Sequence, residues 1–283
     1  MKTSAFNDSM TPVERGSRRA AAQPKQTNFR WICLLCLILT ALIAGSADAQ
    51  IQQAWVARYN NGDANGFNYP NKIAVDSAGD ICITGWSRNA LGSYTTGYIT
   101  IKYAPNGQPL WESRLDSPSY PNAAAISMVV DASNNVIVTG NVTTIKYDAG
   151  GHQLWTAPYA GAVLATDSQA NVYVGRFSTN FGTVKLSPQG SNVWLTTYVD
   201  PYGPTLSQSV LVDASNNVYV SGLDTYFAYT NNNMRYGPFV QLTTIKYDSN
   251  GNQVWKASQS PLPELSNVQI GGAALDAANN LYL

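Results

Sequence analysis

A lysine and a tryptophan recur nine residues apart, four times over: Lys102 and Trp111, Lys146 and Trp155, Lys185 and Trp194, Lys246 and Trp255. Each lysine sits in a β-rich run (Ile101-Lys102-Tyr103, Ile145-Lys146-Tyr147, Val184-Lys185-Leu186, Ile245-Lys246-Tyr247), and a turn separates it from its tryptophan. A second interval repeats upstream. Asp76 to Gly85, Asp131 to Gly140 and Asp213 to Gly222 are nine apart, while Asp167 to Gly175 is eight. Asp276 opens a fifth copy that reaches Leu283 without its glycine. Fixed intervals that return every ~40 to 60 residues define one supersecondary unit, and such units bury their faces only by stacking.

Each cassette parses into four short strands. In the second, Met128-Val129-Val130-Asp131 ends the first strand, Ala132-Ser133-Asn134-Asn135 makes a turn, and Val136-Ile137-Val138-Thr139 is the second strand. Thr143 to Tyr147 forms the third, and the tryptophan lies on the fourth. Asn, Asp, Ser and Gly gather at the joints because they accept left-handed or side-chain-bonded turns. Val, Ile, Thr and Tyr fill the strands, and no helical period emerges after residue 50. The expected fold is all-β, a β-propeller of four-stranded antiparallel blades. It has four complete cassettes with partial terminal blades: a Trp-bearing strand at Ala54–Tyr59 before them and two strands after. The ring either closes by pairing the first strand with the last or continues past Leu283. The second is favoured, because closure leaves one strand place empty and an edge unpaired.

The runs Thr244-Ile245-Lys246-Tyr247-Asp248-Ser249-Asn250-Gly251-Asn252-Gln253-Val254-Trp255 and Val212-Asp213-Ala214-Ser215-Asn216-Asn217-Val218-Tyr219-Val220-Ser221-Gly222 resemble the bacterial SBBP-type β-propeller repeat. The likeness spans nearly all of residues 55–283 and implies a fold much more than an activity. The chain is more distantly similar to the tryptophan-bearing blades of quinoprotein dehydrogenases. One cassette departs from the pattern: it lacks the Thr before Gly175 and has Leu186 in place of the tyrosine.

Residues 1–49 read differently. Lys2, Arg15, Arg18, Arg19, Lys25 and Arg30 precede a fifteen-residue uncharged run, Trp31 to Gly45, and then Ser46-Ala47-Asp48-Ala49. Small residues at Ala47 and Ala49 suit a cleavage site before Gln50. The run is short beside the roughly 20 residues of a spanning helix. We therefore expect residues 1–49 to be a signal peptide and residues 50–283 a repeat domain. That domain would be secreted, or periplasmic in the cell envelope, with no membrane insertion after cleavage. Cys33 and Cys36 would leave with the signal, so Cys82 would have no disulfide partner.

Composition narrows the chemistry. Charged residues make up 12% of the chain and the formal net charge is zero, so nucleic acid is not an expected partner. His152 is the sole histidine and lies in a turn, so neither a histidine-based zinc site nor a Ser-His-Asp triad assembles. Asn61 to Gly66 is faintly like a calcium loop but lacks a closing Glu. The four repeated lysines are expected to pair with Asp76, Asp131 and Asp213 as structure, since a catalytic group is needed once and a blade needs its residue every time. No cofactor, metal or catalytic residue is expected. Local function should sit where the repeat breaks, in the Gly-to-Lys connections. The longest, Gly222 to Lys246, carries Tyr226, Phe227, Tyr229, Arg235 and Tyr236. The next, Gly85 to Lys102, carries Trp86, Arg88, Tyr94 and Tyr98. These are the candidate rim residues for a protein or polysaccharide partner; a long hairpin packing on itself is the competing reading. The alternative function is a lyase or quinone-dependent dehydrogenase fragment with its site on the axis.

Overall fold

In the computed structural model, four four-stranded antiparallel sheets follow one another along the chain, each paired in sequence order. The first holds β1 (Asn68–Val75), β2 (Ile81–Arg88), β3 (Thr96–Tyr103) and β4 (Pro109–Leu115); the second β5 (Ala125–Val130), β6 (Val136–Gly140), β7 (Thr144–Tyr147) and β8 (Gln153–Ala157). The third holds β9 (Gly161–Thr166), β10 (Val172–Arg176), β11 (Phe181–Leu186) and β12 (Asn192–Tyr198); the fourth β13 (Thr205–Val212), β14 (Val218–Tyr229), β15 (Arg235–Tyr247) and β16 (Gln253–Ser258). A two-stranded remnant, β17 (Ala274–Leu275) and β18 (Leu281–Tyr282), begins a fifth. The structure describes residues 53–62, 66–88, 96–116, 120–176, 181–199, 205–229, 235–259 and 270–283, with backbone alone at 205–206, 225–229 and 235–239. No helix occurs among the described residues.

The repeated intervals are contacts. Lys102 lies directly across from Trp111 on the neighbouring strand, as Lys146 does from Trp155, Lys185 from Trp194 and Lys246 from Trp255. The repeated aspartate builds the turn after it. Asp131 Oδ1 accepts from the backbone N–H of Ser133 and Asn135, at 2.9 and 3.0 Å, and Asn134 takes φ 61°. Asp76, Asp167, Asp213 and Asp276 make the same two bonds. Asp148 and Asp248 repeat them at the hairpin that leads to the tryptophan. An Asx turn thus closes the first hairpin of every blade and the third hairpin of the second and fourth.

The repeated glycine marks a bulge where the first and second strands come too close for a side chain. A Cβ on Gly85 would lie 1.9 Å from the Tyr69 carbonyl, and one on Gly140 2.0 Å from that of Ala124. The third cassette keeps this device in altered form. β10 is as long as β6 but its glycine comes one residue earlier, so Gly175 takes the place Thr139 holds in the second blade and Arg176 the place of Gly140. The small residue moves to the facing strand, where Gly161 pairs with Arg176.

The core lies between blades. One layer joins Cys82 and Tyr98 of the first sheet to Met128, Val138, Ile145 and Tyr147 of the second. Others join Ile137 and Ala157 to Val174 and Leu186, then Tyr173 and Phe181 to Val220, Ile245 and Tyr247. The first strands of successive sheets lie side by side, and β1, β5, β9, β13 and residues 270–273 share one central cavity. This is the expected propeller architecture, with four complete blades and a partial fifth.

Trp55 and three of the four repeated tryptophans clamp the following blade. Trp111 packs on Gly151 and its indole donates to the Ala149 carbonyl at 3.0 Å. Trp155 does so at Gly190 and the Pro188 carbonyl, Trp194 at Gly251 and the Ser249 carbonyl, at 2.9 and 3.0 Å. Trp55 packs on Gly107 and donates to the Pro105 carbonyl at 2.8 Å. The expected strand at Ala54–Tyr59 needs correction, however. The segment forms no ladder, because no third strand lies beside it among the described residues, yet its indole docks as a fourth-strand tryptophan does.

Candidate functional site

Two of the expected rim residues meet in one aromatic cleft. β2 and β3 run past Gly85 to Arg88 and from Thr96, whereas β6 stops at Gly140 and β7 starts at Thr144, so the first blade outruns its neighbour. On this overhang Trp86 lies across from Tyr69 and stacks on it, ring centroids 4.3 Å apart and planes 19° apart. The Arg88 guanidinium stands 5.9 Å from the centre of the Phe67 ring, and the Arg88 N–H donates to the Phe67 carbonyl. Phe67, Tyr69, Trp86, Arg88 and Thr96 line a cleft of about 310 Å³. Tyr69 and Phe67 are half exposed, at 50% and 51%. Alternation explains the grouping: Phe67, just before β1, and Tyr69 on it are two apart, as are Trp86 and Arg88 on β2. Asn61 secures the overhang, donating to the Arg88 carbonyl and the Ser87 hydroxyl at 2.5 and 3.2 Å.

The other candidates are placed differently. Tyr98 is not on the rim. It lies on β3 with no exposure, and its hydroxyl accepts from the Val142 and Thr143 N–H groups of the second blade at 2.9 and 3.2 Å. It was drawn to the rim by counting from Gly85 to Lys102, an interval that includes strand as well as connection. Tyr94 lies outside the described residues. Tyr226, Phe227, Tyr229, Arg235 and Tyr236 lie on strand backbone, since β14 and β15 pair outward from Val218↔Tyr247 to Tyr229↔Arg235. The longest connection is a hairpin extension, and those side chains lie outside the described residues. Phe67 and Tyr69 were missed because they precede the first repeated aspartate, among Asn and Gly that read as turn. Their alternation at i and i+2 was the available signal.

The repeated lysines form no open ring. Lys102 bridges Asp76 and Asp80 at 2.7 and 3.1 Å, and Lys146 bridges Asp131 at 2.8 Å, each 4% exposed or less along its side chain. Burial pushes the Asp76 and Asp131 carboxyls up, but hydrogen bonds from the lysines and from turn N–H or amide groups together hold both below the ordinary carboxylate value. Lys246 stands 3.8 Å from Asp213 and over the Tyr219 ring at 4.8 Å. Lys185 instead rests over Tyr173, at 5.3 Å. Cys82 is buried, and burial pushes its thiol up to about 11. The His152 ring is exposed and bonds Asp148 at 3.0 Å. Part of the calcium-like loop, residues 63–65, lies outside the described residues.

The axial cavity holds about 480 Å³ and is lined by Lys72, Ser127, Gln208 and Ser209 among apolar neighbours. Among the described residues no carboxylate lines it, and none forms a cluster of metal-binding side chains.

No family model matches the chain. An uncharacterized WD repeat-containing protein of Acanthamoeba polyphaga mimivirus is 25% identical over 192 residues, covering 58% of this chain and 13% of that protein, so the chain spans a small part of that relative. Among solved structures, a protein of unknown function from Bacteroides caccae is 14% identical with a TM-score of 0.36, covering 67% of this chain and 81% of that one. A gluconolactonase from Xanthomonas campestris is 14% identical with a TM-score of 0.30, covering 75% and 90%. Cassette, sheets and inter-blade clamps define the chain as a β-propeller repeat protein.

Proposed function

We propose that this protein is a secreted, non-enzymatic binding scaffold of the SBBP-like kind, which holds a polysaccharide at the overhanging edge of its first blade. The stacked Tyr69–Trp86 pair carries the reading. Sugar rings lay their C–H faces on the electron-rich face of an aromatic ring, and a half-exposed tyrosine braced from behind presents such a face at little entropic cost. Phe67 extends the apolar floor, and Arg88 and Thr96 bring polar groups to the cleft wall. Placement outside the cell fits residues 1–49 read as a signal.

A glycan array probed with the purified protein tests this. Binding to a defined set of glycans, lost in Tyr69→Ala and Trp86→Ala variants of unchanged melting temperature, is the expected outcome. Binding unchanged in both variants would count against the cleft, and no glycan binding at all would count against the ligand class.

A further inference from the structure

One register position of the first strands does not follow the repeat. The three residues before each repeated aspartate are apolar in every copy except at Thr166. One place further back stand Lys72, Ser127, Val163, Ser209 and Gly272, and all five line the axial cavity of about 480 Å³. A place that each blade needed for its own packing would be filled alike every time, as the aspartate's is. Unlike side chains brought to one axis answer a demand made once.

Lys72 is the lysine that stands apart. Of the six lysines after residue 50, Lys102, Lys146 and Lys246 face Asp76, Asp131 and Asp213, Lys185 rests over Tyr173, and Lys256 donates to the Tyr198 hydroxyl. Lys72 is exposed and makes no ion pair or hydrogen bond among the described residues. Its ammonium is the single charge on the described cavity wall. The hydroxyls of Ser127 and Ser209 share that wall and also make no hydrogen bond among the described residues. Gln208 accepts from the Ile270 N–H at 2.8 Å through its side-chain carbonyl, which leaves its amide N–H groups to offer. A cation, two hydroxyls and an amide, all able to donate, stand among apolar neighbours such as Met128 and Leu164.

We infer that the axial cavity binds a small organic anion, its carboxylate or phosphate group held by the Lys72 ammonium and the Ser127 and Ser209 hydroxyls. An ammonium meets either oxyanion as a point charge, and charge-assisted bonds of this kind are the strong ones. The apolar part of the wall suits the body of such a ligand, in a cavity of the size small molecules occupy. The inference is independent of the glycan cleft.

The purified full-length protein, methyl-labelled at methionine, is titrated with sodium phosphate and separately with sodium glucuronate at constant ionic strength. The readout is the NMR methyl signal of Met128 on the cavity wall. The expected result is a saturable shift with at least one of the two anions, weakened about tenfold or more in Lys72→Gln. Lys256→Gln, which removes an exposed charge elsewhere, should bind as the parent does. Which anion saturates the signal decides between a phosphate and a carboxylate ligand. Lys72 supports no contact of the fold, so its variant should keep the parent's melting temperature in chloride. No saturable shift with either anion overturns the proposal, as does undiminished binding by Lys72→Gln or an equal loss in Lys256→Gln.

Discussion

The indole N–H of Trp111 and the ammonium of Lys102, cross-strand neighbours on the first blade, both point at the carbonyl of Ala149 on the second, at 3.0 and 3.4 Å. Trp194 and Lys185 repeat this at the carbonyl of Ser249, at 3.0 and 3.4 Å. One cross-strand pair thereby fixes the position of the next blade's outer turn, which is why the nine-residue interval does not drift.

Trp155→Ala should cost about 3–5 kcal/mol, because it opens a cavity over Gly190 and strands the Pro188 carbonyl. Trp255, 38% exposed and followed by no such turn among the described residues, should lose about 1 kcal/mol or less on the same change. Urea denaturation of both variants measures the contrast.

The third blade offers a substitution of opposite sign. Thr139 and Thr144 pair their hydroxyls at 2.7 Å, as Thr84 and Thr100 do at 2.9 Å. Gly175 removes that partner from Thr183, whose buried hydroxyl has no hydrogen bond. Thr183→Val should be neutral or raise the melting temperature, whereas Thr144→Val should destabilise by about 1–2 kcal/mol. Calorimetry on the two variants distinguishes the cases.

Acid should weaken the fold from below about pH 4. The folded Asp76 and Asp131 carboxyls titrate beneath their unfolded value, so their stabilisation is present above that value and is lost as pH falls through the folded one. Melting temperatures between pH 7 and pH 2 should fall at the acid end, and less steeply in Asp131→Asn. At neutral pH that variant should be less stable by about 3–5 kcal/mol, since it leaves the Lys146 ammonium buried without its counter-ion.

Cys82 should resist thiol reagents in the native protein, being buried with its thiol held protonated. Labelling with a chromogenic disulfide should require unfolding. Fast labelling under native conditions would contradict the packing of the first two blades.

Much of this architecture was legible because blade geometry is written in short-range spacings. Asp131 with Asn134 states a turn, and Lys146 with Trp155 states a cross-strand pair. What was not legible depended on register. The Tyr69–Trp86 stack joins residues on different strands across the bulge at Pro70, and no interval in the other blades announces it. Tyr98 was misplaced because a tyrosine that clamps the next blade and one that faces solvent look the same in sequence. The eight-residue spacing of Asp167 and Gly175 registered as an irregularity, and only the pairing of Arg176 with Gly161 accounts for it.

The central claim is that the blades hold one another through the tryptophan clamps. Hydrogen exchange at the indole N–H groups of ¹⁵N-tryptophan-labelled protein tests it most directly. Trp55, Trp111, Trp155 and Trp194, each bonded to a carbonyl of the following blade, should exchange slowly, and Trp255 fast. Uniformly fast exchange at all five would contradict the account.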